Sequence, residues 1–252
     1  MLGFLSTQTL SPGMGCNRNQ EFWGALLELD DDPSVELLQD KDVWKFTDGW
    51  HRAFLNDPLL EYQRAGDKET PVQVKVKRRV FAVAVHSWIR TKVVITVKQG
   101  ASVVICEIPA GGRKSPKARL LDWLVNTMFK GFGKVQNEEH KKRRREFDAK
   151  LQTAIARTIG DRAKTMVYVN LVVTTPESQG HGYASTLLHK VTRLADLLGD
   201  ACWLVSSNIV NEPFYNSHGF KAVSDVIVGD DNPAWNKDPV DVQVMVREPR
   251  AV

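Results

Sequence analysis

Gln179-Gly-His-Gly-Tyr-Ala184 combines two glycines with a following run of helical character, and the spacing suits the capture of a phosphate. A glycine turn that feeds a helix leaves several backbone N–H groups unpaired and pointing outward, and such groups bind phosphate oxygens. The flanking elements are legible. Val167–Thr174 is rich in β-branched residues and reads as a strand, which Pro176 stops. Gly180 and Gly182 supply the permissive backbone of the turn. From Tyr183 onward, Leu187, Leu188, Val191, Leu194, Ala195 and Leu198 recur at helical spacing, and Gly199 ends the run.

Three phosphate-binding patterns can be set against this stretch. A P-loop needs a Lys and a Ser or Thr after its second glycine, where this chain has Tyr183 and Ala184. A dinucleotide fingerprint needs a third glycine three residues after the second, where this chain has Ser185, with Thr186 following. The third pattern is Gln or Arg, two residues, Gly, one residue, then Gly or Ala, and Gln179, Gly182 and Ala184 match it in full. Downstream, Asn211, Phe214, Tyr215, Gly219 and Phe220 form a second pattern: an Asn, a short gap, an aromatic-Tyr pair and a Gly-Phe four residues later. Pro213 suits the first turn of a short helix and Gly219 its left-handed end. Lys221–Val228 and Val240–Arg247 then alternate as a closing strand pair. In these two motifs and their order the chain resembles the GNAT superfamily of acyl-CoA-dependent N-acyltransferases, well from Met166 to Arg247 and loosely before that. The resemblance implies an α/β (α+β) fold with a mixed central sheet, splayed in a V and flanked by helices.

Composition sets broad limits. The chain has 252 residues, 42% of them apolar and 25% charged, as expected of a soluble globular protein. A net charge of +4 suits an anionic cofactor without requiring nucleic acid. Cys16, Cys106 and Cys202 cannot all pair, and the latter two fall in expected strands as buried thiols, which suits a reducing compartment. No stretch approaches a membrane span, and Met1–Thr7 lacks the basic region of a signal peptide, so a cytoplasmic location is expected.

Along the chain, residues 1–20 read as a loose segment and 21–252 as a single domain with a helical insertion at about 113–164. Phe22–Leu29 is a helix or the first strand. Asp42–Leu55 has helical periodicity, Asn56-Asp-Pro58 breaks it, and Leu59–Arg64 continues as a short helix. Phe54, Asp57, Pro58 and Tyr62 loosely fit a GNAT signature. Val74–Thr91 reads as a long helix, and Lys92–Lys98 with Ala101–Ile108 as a hairpin turning at Gln99-Gly100. In the insertion, Lys117–Lys130 reads as a helix broken by Gly131-Phe-Gly133. Glu138–Arg157 reads as a charged helix carrying Lys141-Lys-Arg-Arg-Arg145. That basic run is either a phosphate-binding surface or, as favoured here, a solvated face neutralised by Glu138, Glu139, Glu146 and Asp148.

The resemblance implies roles for individual residues. Acetyl-CoA is the expected donor, with no metal. Its pyrophosphate would meet the amides of Gln179, Gly180, His181, Gly182, Tyr183 and Ala184, with Ser185 as a hydroxyl donor. Val172, Val173 and Thr174 would pair with the pantetheine arm, and Asn211 and Phe214 would flank it. Asn211 also reads as a helix N-cap. The Val172 N–H would stabilise the oxyanion, and Tyr215 would protonate the leaving thiolate. The strand face formed by Tyr168, Asn170, Val172 and Thr174 lacks the Glu or His that many relatives carry, which leaves the base open. A water chain ordered by Asn170, Tyr168 or Ser206 is one route. Glu107 is another candidate, read with preference as an exposed strand carboxylate. The seven tryptophans are mostly core, although those of the N-terminal helices could wall an acceptor pocket.

The expected function is transfer of an acetyl group to a primary amine of a small molecule, by a monomer or homodimer that uses neither membrane nor nucleic acid. Alternatives are acetylation of a protein or peptide, a non-catalytic acyl-CoA sensor, and a nucleic-acid module using Lys141–Arg145.

Overall fold

A computed structural model of the chain describes residues 34–64, 70–109, 120, 123–129, 131 and 136–251. The strands are β1 (Val35–Leu37), β2 (Val93–Val97), β3 (Ser102–Glu107), β4 (Val167–Thr174), β5 (Cys202–Ser206), β6 (Lys221–Val228) and β7 (Val240–Arg247). The helices are α1 (Val43–Ala53), α2 (Pro58–Arg64), α3 (Pro71–Thr91), α4 (Glu138–Thr158), α5 (Tyr183–Leu197) and α6 (Glu212–Ser217). The seven strands form one mixed sheet in the order β1-β2-β3-β4-β5-β7-β6. Only β4 and β5 run parallel.

Local chemistry explains where the helices begin. Thr70 caps α3 in a reciprocal box with Gln73, and Pro71 fills the first turn, where no N–H is needed. Asn137 caps α4 by accepting from the His140 N–H at 2.7 Å, with Glu138 and Glu139 placed at the positive end. Residues 123–129 are helical, as expected of Lys117–Lys130, but Gly131 is itself in helical conformation rather than a break. Phe22–Leu29, Cys16 and most of 110–122 lie outside the described residues.

The sheet carries helices on both faces. On one, α5 lays Leu187, Leu188, Val191 and Leu194 on Val104, Val169 and Leu204. On the other, α1 and α3 bury Phe46, Phe81 and Val85 against Ile105, Leu171 and Val173. Beside them α2 and α4 bury Leu59, Phe147 and Leu151 against Tyr168, Trp203 and Val242. The tryptophans of the N-terminal helices belong to this packing or to the surface. Trp50 stacks on Phe81 at 3.9 Å, Trp88 meets Phe81 edge-on, and Trp44 is exposed. Trp44, Trp50 and Trp88 do not line the cleft described below, in keeping with the core reading, and Trp23 lies outside the described residues.

Helix α4, inserted between β3 and β4, is locked down through its basic run. Arg143 is buried, 3% exposed. It lies over the rings of Tyr62 and Trp235 and donates to Glu139, the Tyr62 carbonyl and the Ala234 carbonyl. Lys141 pairs with Glu138 and Arg144 with Asp148. The run is therefore neither a concentrated cationic surface nor a purely solvated face; its central arginine is an anchor.

β4 holds the main departure from the sequence expectation. Val104, Ile105 and Cys106 face Val172, Leu171 and Val169, so Asn170 is an extra residue with no partner on β3, a β-bulge. The bulge resets the alternation. Val167 and Val169 face α5, Tyr168 packs with Trp203 on the opposite face, and Leu171 and Val173 share that opposite face while Val172 returns to the α5 side. Tyr168, Asn170, Val172 and Thr174 therefore do not share one face, because a single inserted residue inverts the period of 2.

Candidate active site

The β4–β5 ladder ends at Val169–Leu204, although β4 runs on to Thr174 and β5 to Ser206. Beyond that point the strands diverge in a V and line a cleft of about 660 Å³ with residues from both edges, the α1–α2 junction, the glycine loop and α6. The phase of the β3–β4 ladder fixes what β4 offers to this cleft. Thr175 N–H donates to the Ala101 carbonyl at 2.8 Å. In an antiparallel ladder hydrogen-bonded and non-bonded pairs alternate, so Val173 directs its backbone groups to β3, and Val172 and Thr174 direct theirs into the cleft. Val172 thus presents an N–H and a carbonyl along the diverging edge.

The glycine loop closes one end of the cleft. Gly180 and Gly182 both have φ of +77°, which an L side chain rarely adopts, and α5 starts at the next residue. No side chain caps α5. Its first-turn N–H groups, with the positive end of the helix, are consequently available to an anion. Nothing lies within 4 Å of where a Cβ on Gly180 or Gly182 would stand, so a ligand has open approach to this backbone. Ser178, Gln179, Tyr183, Ala184 and Ser185 also line the cleft. This cradle, with open backbone on β4, suits a pyrophosphate followed by an extended amide-bearing arm, as in CoA.

His181 is an exception. Its ring is exposed, stacks on Tyr183 at 5.4 Å and turns Nδ1 back to the Gln179 carbonyl at 2.9 Å, outside the cleft lining. Lys98, which sequence reading did not single out, stands at the β2–β3 turn with its Nζ 5.0 Å from the Tyr183 ring centre, so a cation flanks the loop.

The other end of the cleft gathers the remaining polar groups. Tyr215, on α6, is nearly buried and packs edge-on against Phe214 at 5.1 Å. Burial, with a lesser push from the charge of Asp57, raises its phenol pKa above the usual value, which keeps the hydroxyl protonated. Asn211 lines the cleft but makes no side-chain cap to α6. The cap in this turn belongs to Asn208, which accepts from the Val210 N–H at 3.1 Å. Asn170 and Ser206 line the cleft, whereas Tyr168 is buried against Trp203 with ring centres 4.2 Å apart. Burial raises the Tyr168 pKa as well, and the residue stands outside the lining.

Glu107 is neither in the cleft nor a free strand carboxylate. It pairs with Lys92 and accepts from Asn170 Nδ2 at 3.3 Å. The carboxylate that does line the cleft is Asp57, and among the described lining residues it is the one charged side chain. Asp57 is 8% exposed, accepts from Ser207 Oγ at 2.5 Å and caps α2 through the Leu60 N–H at 2.9 Å. A hydrophobic helix followed by Asn56-Asp-Pro58 marks a helix break in sequence; its contact with β5 depends on the fold.

The α1–α2 segment is fastened over both arms of the V. Gly49 lies so close to the end of β4 that a Cβ there would stand 2.3 Å from Thr175 Cγ2. Arg52 pairs with Glu177 at 2.6 Å, and Asp57 holds Ser207 beyond β5.

Among the described residues no helix is long and apolar enough to cross a membrane. Cys106 and Cys202 are buried and unpaired, and burial pushes the Cys202 thiol up to about 12.

The family model for the acetyltransferase (GNAT) domain matches residues 130–233. An uncharacterized N-acetyltransferase of Schizosaccharomyces pombe is 24% identical over 219 residues, which is 86% of this chain and 83% of that protein. Among solved structures, arylalkylamine N-acetyltransferase 2 from Aedes aegypti superposes with a TM-score of 0.56 at 16% identity, covering 86% of this chain and 98% of the other. A structure described as histone acetyltransferase HPA2 and related acetyltransferase, from Corynebacterium glutamicum, gives 0.52 at 16% identity, covering 87% and 98%. Those two likenesses are of fold, and together with the family match over residues 130–233 and the N-acetyltransferase relative they support a GNAT superfamily acyltransferase.

Proposed function

We propose that the protein transfers an acetyl group from acetyl-CoA to a primary amine of a small molecule. The observation that carries the acceptor half is the roofing of the cleft. The α1–α2 segment is tied to the end of β4 through Gly49 and Thr175 and to the end of β5 through Asp57 and Ser207. We read this fastening as favouring a compact acceptor over an extended peptide chain. Fold likeness at 16% identity extends to proteins named for an arylalkylamine and for histones, so the acceptor is argued from the cleft itself.

Acetyl-CoA supplies the acetyl thioester. The amides of the Gly180–Ala184 turn and the start of α5 hold its phosphates, and Val172 to Thr174 with Asn211 and Phe214 guide the arm toward the apex of the V. Asp57 attracts the ammonium form of the acceptor and takes its proton, with Ser207 holding the carboxylate in place. Val172 N–H, on the diverging edge of β4, would stabilise the carbonyl oxygen as it gains charge. Tyr215, kept protonated by its raised pKa, delivers a proton to the sulfur as negative charge develops there, and its phenolate takes back the second proton of the nitrogen as the amide forms. Asp57 replaces the strand base that Tyr168 and Asn170 cannot supply.

The test is acetyl-CoA-dependent thiol release across aryl- and alkylamines, polyamines, aminoglycosides and lysine peptides. Saturable turnover with at least one compact amine, well above that with peptides, is expected. Efficient turnover with peptides alone overturns the small-molecule reading. Binding of acetyl-CoA without turnover on any amine favours a sensor.

A further inference from the structure

We propose that Glu107 is a positioning residue that fixes the side-chain amide of Asn170 with its carbonyl oxygen turned into the cleft, where it accepts an N–H of the incoming amine. This rests on the acetyl-transfer reading above. Asn170 is the bulge residue of β4, free of any partner on β3, and it sits where the two arms of the V begin to part. Its Nδ2 donates to Glu107 Oε1 at 3.3 Å. Glu107 is held in turn by Lys92, whose side chain is 13% exposed and whose Nζ lies 4.9 Å from the centre of the Trp88 ring. A chain of contacts therefore runs from a core indole, through an ion pair, to the one carboxamide on β4 that faces the cleft.

The chemistry sets the direction of that amide. An ionised carboxylate only accepts hydrogen bonds, so the amide must turn its NH₂ toward Glu107. Its oxygen then faces the other way. Asn170 lines the cleft and Glu107 does not, so the other way is into the cleft. Placed at the apex, this oxygen accepts one N–H of the amine and orients the nitrogen lone pair toward the acetyl carbon, a contribution of position rather than of proton transfer. Without Glu107 the amide is free to rotate and offer two donors to an ammonium group, the wrong polarity. The bulge gives the arrangement its reach: a regular strand would send residue 170 into the β3 register.

Two readouts test the inference. The first needs no turnover. The side-chain ¹⁵N amide signals of Asn170 in the full chain, assigned by their loss in Asn170→Ala, are expected to shift in Glu107→Ala. Their solvent exchange should speed up about tenfold, the scale of a lost charge-assisted hydrogen bond. Signals that Glu107→Ala leaves unmoved overturn the inference. Failure of every amine to react would sink the catalytic reading and still leave this readout decisive for the orientation. The second is a double-mutant cycle on kcat/KM for the amine. Glu107→Ala should lower it about tenfold, with the KM for acetyl-CoA changed by less than about twofold. Glu107→Gln, which keeps an accepting oxygen, should recover most of the loss. In an Asn170→Ala background the same change should cost less than about twofold. Equal losses in both backgrounds, or a loss carried by the KM for acetyl-CoA, overturn the inference. If Glu107→Ala leaves Lys92 stranded and the chain fails to fold, Lys92→Met with Glu107→Leu removes the pair as a unit and gives the same readouts.

Discussion

Ser207 donates its hydroxyl to the Asp57 carboxylate at 2.5 Å, joining the α1–α2 junction to the end of β5 across 150 residues of sequence. The contact places Asp57, the one charged side chain among the described residues of the cleft lining, close enough to Tyr215 to influence its ionisation. In the proposed reaction Asp57 is the base that faces the amine and Tyr215 the acid that faces the sulfur.

Asp57→Asn keeps the shape and removes the proton acceptor. The expected result is a fall of about 10²–10⁴-fold in kcat/KM for the amine with unchanged affinity for CoA. Ser207→Ala should cost about tenfold, because a hydrogen bond to a charged group is lost while the carboxylate remains. Steady-state kinetics beside calorimetric CoA binding checks both. Full activity in Asp57→Asn removes Asp57 from the mechanism.

Tyr215→Phe should lower turnover about 10²-fold or more while CoA still binds. Burial, then the charge of Asp57, raises the phenol pKa above its usual value, so the acid stays protonated throughout the neutral range. The wild-type rate should therefore show no loss of the acid below about pH 10. An alkaline limb near neutrality that disappears in Tyr215→Phe would contradict that assignment.

Gly49 is where α1 touches the end of β4. Gly49→Ala sets a methyl 2.3 Å from Thr175 Cγ2, a distance no packed carbon tolerates. The overpacking should cost about 1–3 kcal/mol despite the better helix propensity of alanine, measured by urea unfolding. Adding Thr175→Ser deletes the opposing methyl and should restore most of the loss. No recovery would mean that the contact does not limit the approach of α1.

Asp196 and Arg247 form a pair with side chains 11% and 4% exposed, joined by hydrogen bonds of 2.6 and 2.7 Å. Burial alone would raise the Asp196 pKa. Hydrogen bonds from Arg247 and from the Arg250 N–H, with both guanidinium charges, outweigh it and hold the carboxyl below its usual value. The unfolded chain therefore takes up this proton first as pH falls. The stabilisation is complete above the ordinary value of 3.8 and drains away as pH drops through the lower folded value. Asp196→Ala should cost about 3–5 kcal/mol at neutral pH, because Arg247 stays buried without its partner. The gap to wild type, followed by urea unfolding, should narrow below about pH 4. A gap independent of pH would show that the pair is not the source.

Much of the fold was legible because it is written in local patterns. The spacing of Leu187, Leu188, Val191 and Leu194 marks α5, and alternation marks β6 and β7 to the residue. β1 escaped notice: Val35-Glu36-Leu37 is too short for alternation to register and forms by pairing with β2, some sixty residues away. The bulge at Asn170 was also invisible, since it is a property of the register between two strands. Its consequence was a wrong assignment of Tyr168 and Val172 to one face. The loop glycines and Tyr215 were readable from spacing, whereas Asp57 looked like a helix break until the fold set it against Ser207. The basic run misled for a similar reason: nothing local tells that Arg143 lies beneath Tyr62 and Trp235.

The most direct measurement is the structure of the protein with an unreactive acetyl-CoA analogue and an acceptor amine. The phosphates should lie on the amides of Gly180 to Ala184, the acyl oxygen within hydrogen-bond reach of Val172 N–H, the sulfur near Tyr215 and the amine between Asp57 and Asn170. An acyl group outside the V, or an amine remote from Asp57, would contradict the account.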